Sequence, residues 1–162
     1  MTLSPGDPAP EFSLPDGEGN IISLSDFRGK RVVLYFYPRD NTPGCTKEAC
    51  GFRDAYADYQ SNNVVVLGIS TDDAKSHTKF TTKYNLSFPL LSDADGQVSA
   101  TYDSYGLKKF MGKEYMGISR NTFVIGPDGK IEKIYRKVKP ENHATEILAD
   151  LSGLSDLSGL SG

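Results

Sequence analysis

At 162 residues the chain has the length of one domain with a core of its own. Hydrophobic residues supply 38% and charged residues 24%, and the formal net charge of -3 excludes the basic footprint of a nucleic-acid binder. No apolar run reaches the roughly 18 residues of a membrane span, and the opening Met1-Thr2-Leu3-Ser4 has no cationic stretch leading into an apolar one, so a cytoplasmic protein without a membrane anchor is expected.

In chain order, residues 11–14 and 21–23 flank the turn-rich Pro15-Asp16-Gly17-Glu18-Gly19-Asn20 and predict an N-terminal β-hairpin. The run Val32-Val33-Leu34-Tyr35-Phe36-Tyr37 is too apolar for a half-exposed strand, so a central strand covered on both faces is expected, stopped by Pro38. A helix follows over 43–61, with Ala49, Phe52, Tyr56 and Tyr59 spaced by three and four along one stripe. A second apolar strand over 64–70 completes a βαβ unit, whose two strands must be parallel.

Asp72-Asp73 opens a helix running to Tyr84, and 88–91 is a short strand that Pro89 confines to an edge. A short helix is expected over 97–102. Strands over 121–125 and 130–135 surround Gly126-Pro127-Asp128-Gly129, a hairpin signal, and a helix over 144–151 closes the domain. The fold class is α/β, a mixed central sheet with flanking helices and an N-terminal hairpin extension. The domain spans 1–151. Residues 152–162 repeat Leu-Ser-Gly or Leu-Ser-Asp every three residues, which matches no helical stripe, and a frayed low-complexity tail is expected there.

The two cysteines, Cys45 and Cys50, are too few for a disulfide scaffold, and the only histidines, His77 and His143, lie too far away in sequence for a zinc site with them. Both cysteines fall in Tyr37-Pro38-Arg39-Asp40-Asn41-Thr42-Pro43-Gly44-Cys45-Thr46-Lys47-Glu48-Ala49-Cys50, just beyond the carboxyl end of a central strand, where open α/β sheets place their ligands. Thr42 reads as an N-cap with Pro43 at the first helical position, which puts Gly44 and Cys45 in the first turn. Their N–H groups then lack an intrahelical partner and can hold a ligand oxygen, while the helix dipole favours a thiolate, the reactive form of the thiol.

Cys50 lies about 140° around the helix from Cys45, with Cα atoms about 8–9 Å apart, beyond the roughly 7 Å that a disulfide tolerates. Either the two never pair or the first turns unwind. Glu48 reads as a first-turn carboxylate favoured by the dipole, His77 as a packing residue and His143 as a surface one.

The run Pro38-x-x-x-Thr42-x-x-Cys45 resembles the active-site motif of the peroxiredoxins, and the longer stretch from Asp40 to Cys50 is similar to the bacterioferritin-comigratory, or Q-type, subfamily. Ser76-His77-x-Lys79-Phe80, Phe88-Pro89-Leu90-Leu91-Ser92-Asp93 and Arg120-Asn121-Thr122-Phe123-Val124-Ile125 extend the resemblance over about Pro5 to Leu151. It implies a thioredoxin-like fold and a thiol-dependent peroxidase acting on hydrogen peroxide and organic hydroperoxides. It implies Cys45 as the peroxidatic nucleophile, Pro38 and Thr42 shaping its pocket, Arg120 as the neighbouring cation, Cys50 as the resolving cysteine and a role for Glu48 in ordering the pocket. It also implies an intramolecular disulfide, a thioredoxin- or glutaredoxin-type reductant, a monomer, and no metal, haem or flavin. The chain departs from its relatives in having no tryptophan, where many carry one after Tyr105-Gly106, and in Gly126-Pro127 where an Asp is usual.

Two other functions fit the same fold class. A general thiol–disulfide oxidoreductase would be expected to carry Cys-x-x-Cys, and here the spacing is Cys-x-x-x-x-Cys. A non-catalytic binding module would be expected to have lost Cys45, Thr42 or Arg120, and all three are present.

Overall fold

A central sheet organises the computed structural model, which describes residues 2–151; the tail expected over 152–162 lies outside them. The strands are β1 Ser13–Pro15, β2 Ile21–Ser23, β3 Arg31–Phe36, β4 Val64–Ser70, β5 Leu90–Ser92, β6 Tyr105–Phe110, β7 Lys113–Ile118, β8 Asn121–Ile125 and β9 Ile131–Tyr135. The helices are α1 Pro43–Ser61, α2 Ala74–Tyr84, α3 Gln97–Thr101 and α4 over residues 143–151, with a 3₁₀ turn at Leu24–Phe27. No described helix is long and apolar enough to cross a membrane.

The five-stranded sheet runs β5-β4-β3-β8-β9. β4 is parallel to both β3 and β5, whereas β8 is antiparallel to β3 and β9 to β8. The mixed sheet, the parallel βαβ unit and the edge position of the strand after Pro89 are as the sequence predicts. β3 alternates between two cores. Val33 and Tyr35, followed by Tyr37, face Ala49, Phe52 and Tyr59 of α1 together with Ile147 of α4. Val32, Leu34 and Phe36 face the opposite side, against Leu14, Leu24, Tyr102 and Phe123. Burial on both faces explains why the strand reads as a continuous apolar run.

The hairpin β6–β7 is not predicted by the sequence. Its two-residue loop has Met111 at φ 53 and Gly112 at φ 79, so both central residues are left-handed, as in a type I′ turn. Methionine at the first of these positions hides the turn, since Asn or Asp is the usual marker there. The strands carry Leu107, Phe110, Tyr115 and Met116 largely exposed, without the one-sided alternation of a packed sheet.

Candidate active site

β3 ends at Phe36, and Pro38 sits half-buried where the chain leaves the sheet. The loop then reaches Asn41, at φ 60, and Thr42 begins α1. Thr42 is the N-cap residue by position, but its hydroxyl does not cap: it donates to the Arg39 carbonyl at 3.0 Å, and only the Thr42 carbonyl enters the helix, accepting from Thr46 N–H at 2.8 Å. The expected side-chain cap is thus replaced by a turn of the hydroxyl back into the loop. Among the described residues, the N–H groups of Gly44 and Cys45 have no protein acceptor.

Cys45 points into the core on the α1 side of the sheet, among Tyr35, Tyr37 and Ala49, and is 1% exposed. Cys50 is half-buried on the other side of the same continuous helix, on a groove of about 550 Å³ lined by Gly51, Ala55, Pro140 and Ala144. The Lys47 ammonium and Glu141 carboxylate stand 3.5 Å apart beside it. Both cysteines are free thiols.

Arg120 immediately precedes β8. Its backbone is held by Val138 N–H on the Arg120 carbonyl at 2.8 Å, and the next residue, Asn121, is anchored through Ser104 and Lys137. From there the guanidinium crosses the start of α1. A Cβ at Gly44 would stand 3.0 Å from Arg120 Nη2, and Nη1 donates to Glu48 Oε1 at 2.9 Å. Cys45 lies between these two contacts in sequence. Burial works against the Arg120 charge, but the Glu48 carboxylate and the Cys45 sulfur outweigh it and hold the guanidinium above its ordinary value. For Glu48 the balance falls the other way. Burial exceeds the attraction of Arg120 and pushes the carboxyl up to about 7, with Oε2 buried and unpartnered. Burial dominates for the carboxyl because its side chain is 0% exposed while that of Arg120 is 17% exposed.

Glu48 therefore corrects the sequence reading: it lies in the second turn of α1, and its partner is a guanidinium rather than the dipole of an exposed helix end. His143 corrects it too. Expected at the surface, it is 2% exposed, with Nε2 2.9 Å from Thr122 Oγ1 and Nδ1 2.9 Å from Glu146 Oε1, because α4 packs that face against β8. Burial lowers its pKa, with Glu146 partly opposing. His77 is buried, as expected of a packing residue, but it is also hydrogen-bonded to Asp40.

Lys108, on the unpredicted hairpin, is a further cation near the site that the sequence does not mark. Its ammonium donates to the Ile118 carbonyl, two residues before Arg120. Burial lowers its pKa and the like charge of Arg120 adds to that, while Cys45 pulls the other way. The only sequence signal was its place in the Leu107-Lys108-Lys109 segment. Among the described residues no group of three or more His, Cys, Asp or Glu side chains is placed to hold a metal ion.

A mixed sheet with a buried cysteine at the head of the helix after its first central strand defines a thioredoxin-like protein with a thiol site. The description AhpC/TSA family matches residues 5–134. A putative peroxiredoxin bcp of Coxiella burnetii is 50% identical over 151 residues, which are 93% of this chain and 100% of that protein. A PrxQ variant of Xylella fastidiosa has a structure superposing with a TM-score of 0.90 at 34% identity, covering 96% of this chain and 99% of that one. The bacterioferritin comigratory protein of Xanthomonas campestris, whose structures were determined to study alkyl peroxide reduction, gives a TM-score of 0.83 at 36% identity over 88% and 90% of the two chains. The chain belongs to the AhpC/TSA family, among its bacterioferritin-comigratory, Q-type peroxiredoxins. It is a thiol peroxidase.

Proposed function

We propose that Cys45 is the peroxidatic nucleophile and Cys50 the resolving cysteine of this peroxidase. The observation that carries the assignment is the bracket around Cys45, with Arg120 meeting both Gly44 and Glu48 on either side of it at the head of α1. The Cys45 thiolate attacks the terminal oxygen of ROOH. The O–O bond breaks, the sulfur is oxidised to a sulfenic acid, and RO⁻ takes up a proton and leaves as ROH. Negative charge on the leaving oxygen is met by Arg120 and by the free N–H groups of the first turn. The Thr42 hydroxyl hydrogen is committed to the Arg39 carbonyl, so the Thr42 oxygen has lone pairs left to accept from the hydroperoxide O–H. Pro38 closes the pocket at the exit of β3.

Cys50 then attacks the sulfenic sulfur, water leaves, and a Cys45–Cys50 disulfide forms. A thioredoxin- or glutaredoxin-type dithiol reduces it by exchange. The geometry of α1 requires the first turns to open for this step, because an intact helix keeps the two Cα atoms about 8–9 Å apart. Substrates are hydrogen peroxide and organic hydroperoxides, and the enzyme works as a cytoplasmic monomer.

Replacing Cys45 by Ser tests the assignment directly. Peroxide consumption with a dithiol donor is expected to disappear while circular dichroism and melting stay close to wild type. Turnover near the wild-type rate in a folded Cys45→Ser protein would remove Cys45 from the role.

A further inference from the structure

The loop between β3 and α1 carries a polar cluster that the peroxidase cycle does not use. The Asp40 carboxylate is buried and accepts three hydrogen bonds: Tyr37 hydroxyl to Oδ1 at 2.5 Å, Ser76 hydroxyl to Oδ2 at 2.8 Å, and His77 Nδ1 with Oδ2 at 2.7 Å. Its backbone N–H donates to Asp72 Oδ2 at 2.7 Å, and the Ser70 hydroxyl steadies Asp72 at 2.8 Å. The side chains of His77 and Asp40 are 1% and 3% exposed.

The proton positions follow from the partners. His77 Nε2 lies 3.0 Å from the Leu91 carbonyl, which can only accept, so Nε2 carries a hydrogen. One further proton lies between Nδ1 and Asp40 Oδ2. A residue of the active-site loop is thereby tied through one imidazole to α2 and, across it, to β5.

The tie matters because of what α1 lacks. With the Thr42 hydroxyl turned to Arg39, the first turn has no side-chain cap. An uncapped turn frays readily. On the side of the preceding chain, Asn41 Oδ1 accepts from Lys83 and Tyr84 at the surface, each at 3.3 Å, and the nearest buried fixed point is Asp40, two residues before Thr42 and five before Cys45. Beyond Cys45 the helix is held by Glu48, Ala49 and Phe52.

We propose that the Asp40–His77 pair is a clasp that holds the head of α1 in register, making His77 a positioning residue that sets how readily Cys45 leaves its pocket for Cys50. The effect on resolution rests on the reading of Cys50 given above; the clasp itself does not. With the clasp broken, the first turn opens more often, resolution gains on the competing second oxidation of the sulfenic acid, and more peroxide is needed to reach the sulfinic state. The closed form still dominates, so the peroxide step itself changes little.

The test compares His77→Leu, which removes both ring bonds, with Asp40→Asn. In the latter the Asn amide can donate to Nδ1 of a neutral His77, which keeps a weaker clasp. In the reduced proteins, amide exchange over residues 44–50 is expected to rise at least tenfold in His77→Leu and less than threefold in Asp40→Asn, with β4 amides unchanged in both. The peroxide concentration that converts half of Cys45 to sulfinic acid, read by mass spectrometry during turnover, is expected to rise severalfold in His77→Leu. Single-turnover oxidation by peroxide should stay within about threefold of wild type, an outcome that simple destabilisation would not give.

If His77→Leu does not fold, Tyr37→Phe combined with Ser76→Ala strips two donors from Asp40 and should raise the same exchange. Exchange at 44–50 that rises no more than exchange in β4 would overturn the clasp. Faster exchange with an unchanged peroxide threshold would overturn its link to resolution. A wild-type protein that forms no Cys45–Cys50 bond on oxidation would count against Cys50, and the exchange arm would still decide the clasp.

Discussion

Arg120 and the buried Glu48 make an ion pair, Nη1 to Oε1 at 2.9 Å, that pins the half-buried guanidinium over the first turn of α1. In the proposed reaction the guanidinium is pre-positioned for the charge that develops on the peroxide oxygen, and it would need no reorganisation there. The same pair joins the segment before β8 to a helix whose first turns have to open during the proposed cycle. The pair only partly offsets the cost of burying the carboxylate, so ionisation of Glu48 works against the closed form.

Arg120→Ala is expected to slow the peroxide step by roughly 10²–10³, the usual loss for one electrostatic stabiliser. The pH profile of Cys45 alkylation should move to higher pH, because a cation facing the thiolate is gone. Stopped-flow oxidation and alkylation rates measure both. A variant unchanged in either would leave Arg120 as a structural partner of Glu48 alone.

Gly44→Ala separates stability from activity. Alanine is worth up to about 1 kcal/mol over glycine within a helix, so the melting temperature should hold or rise. The new Cβ, however, would stand 3.0 Å from Arg120 Nη2, and the ion pair with Glu48 leaves that guanidinium little room to retreat. A displaced stabiliser should cost roughly 10- to 100-fold in the peroxide step. Wild-type kinetics in Gly44→Ala would show that the guanidinium can shift without loss.

Glu48 gives the opening of α1 a pH dependence. Its carboxyl is at about 7 in the closed helix and returns to the ordinary 4.5 once the turns unwind into water. A closed-state value above the open-state value stabilises the closed form fully below 4.5, and that contribution is lost as pH rises through about 7. The whole difference is on the order of 3 kcal/mol. Opening of residues 44–50, from amide exchange corrected for intrinsic rate, should be roughly tenfold more frequent at pH 8 than at pH 6. Glu48→Gln, which cannot titrate, should lose this slope relative to wild type, and an equal slope in the two proteins would rule Glu48 out as its source.

Cys50→Ser should complete one turnover with peroxide and then stall when thioredoxin is the donor. Mass spectrometry of the oxidised wild-type protein should find an intramolecular Cys45–Cys50 bond. An intermolecular Cys45 disulfide, or sustained thioredoxin-linked turnover in the variant, would make Cys50 a residue of the groove beside α4 and nothing more.

Local sequence by itself determined the central strands, the βαβ unit and the extent of α1, because each rests on short-range pattern: apolar runs, a three-and-four stripe, Pro43 at the first helical position. It also determined where the cysteines fall on that helix and that they cannot bond within it, since helical geometry follows from residue count alone. Arg120 stands out in the sequence only through the family motif, because nothing within a few residues of it signals a partner 72 positions away. Only the tertiary structure decided which polar groups lost their water. Glu48, Asp40, His77 and His143 are ordinary polar letters in a helix or a loop, and each becomes buried because an element distant in sequence covers it. The hairpin that brings Lys108 toward the site was likewise hidden, since its turn carries methionine in a left-handed position and its strands bury too little to impose an alternating pattern. Burial by distant segments sets pKa values and charge pairing, and that information is spread over contacts no local window contains.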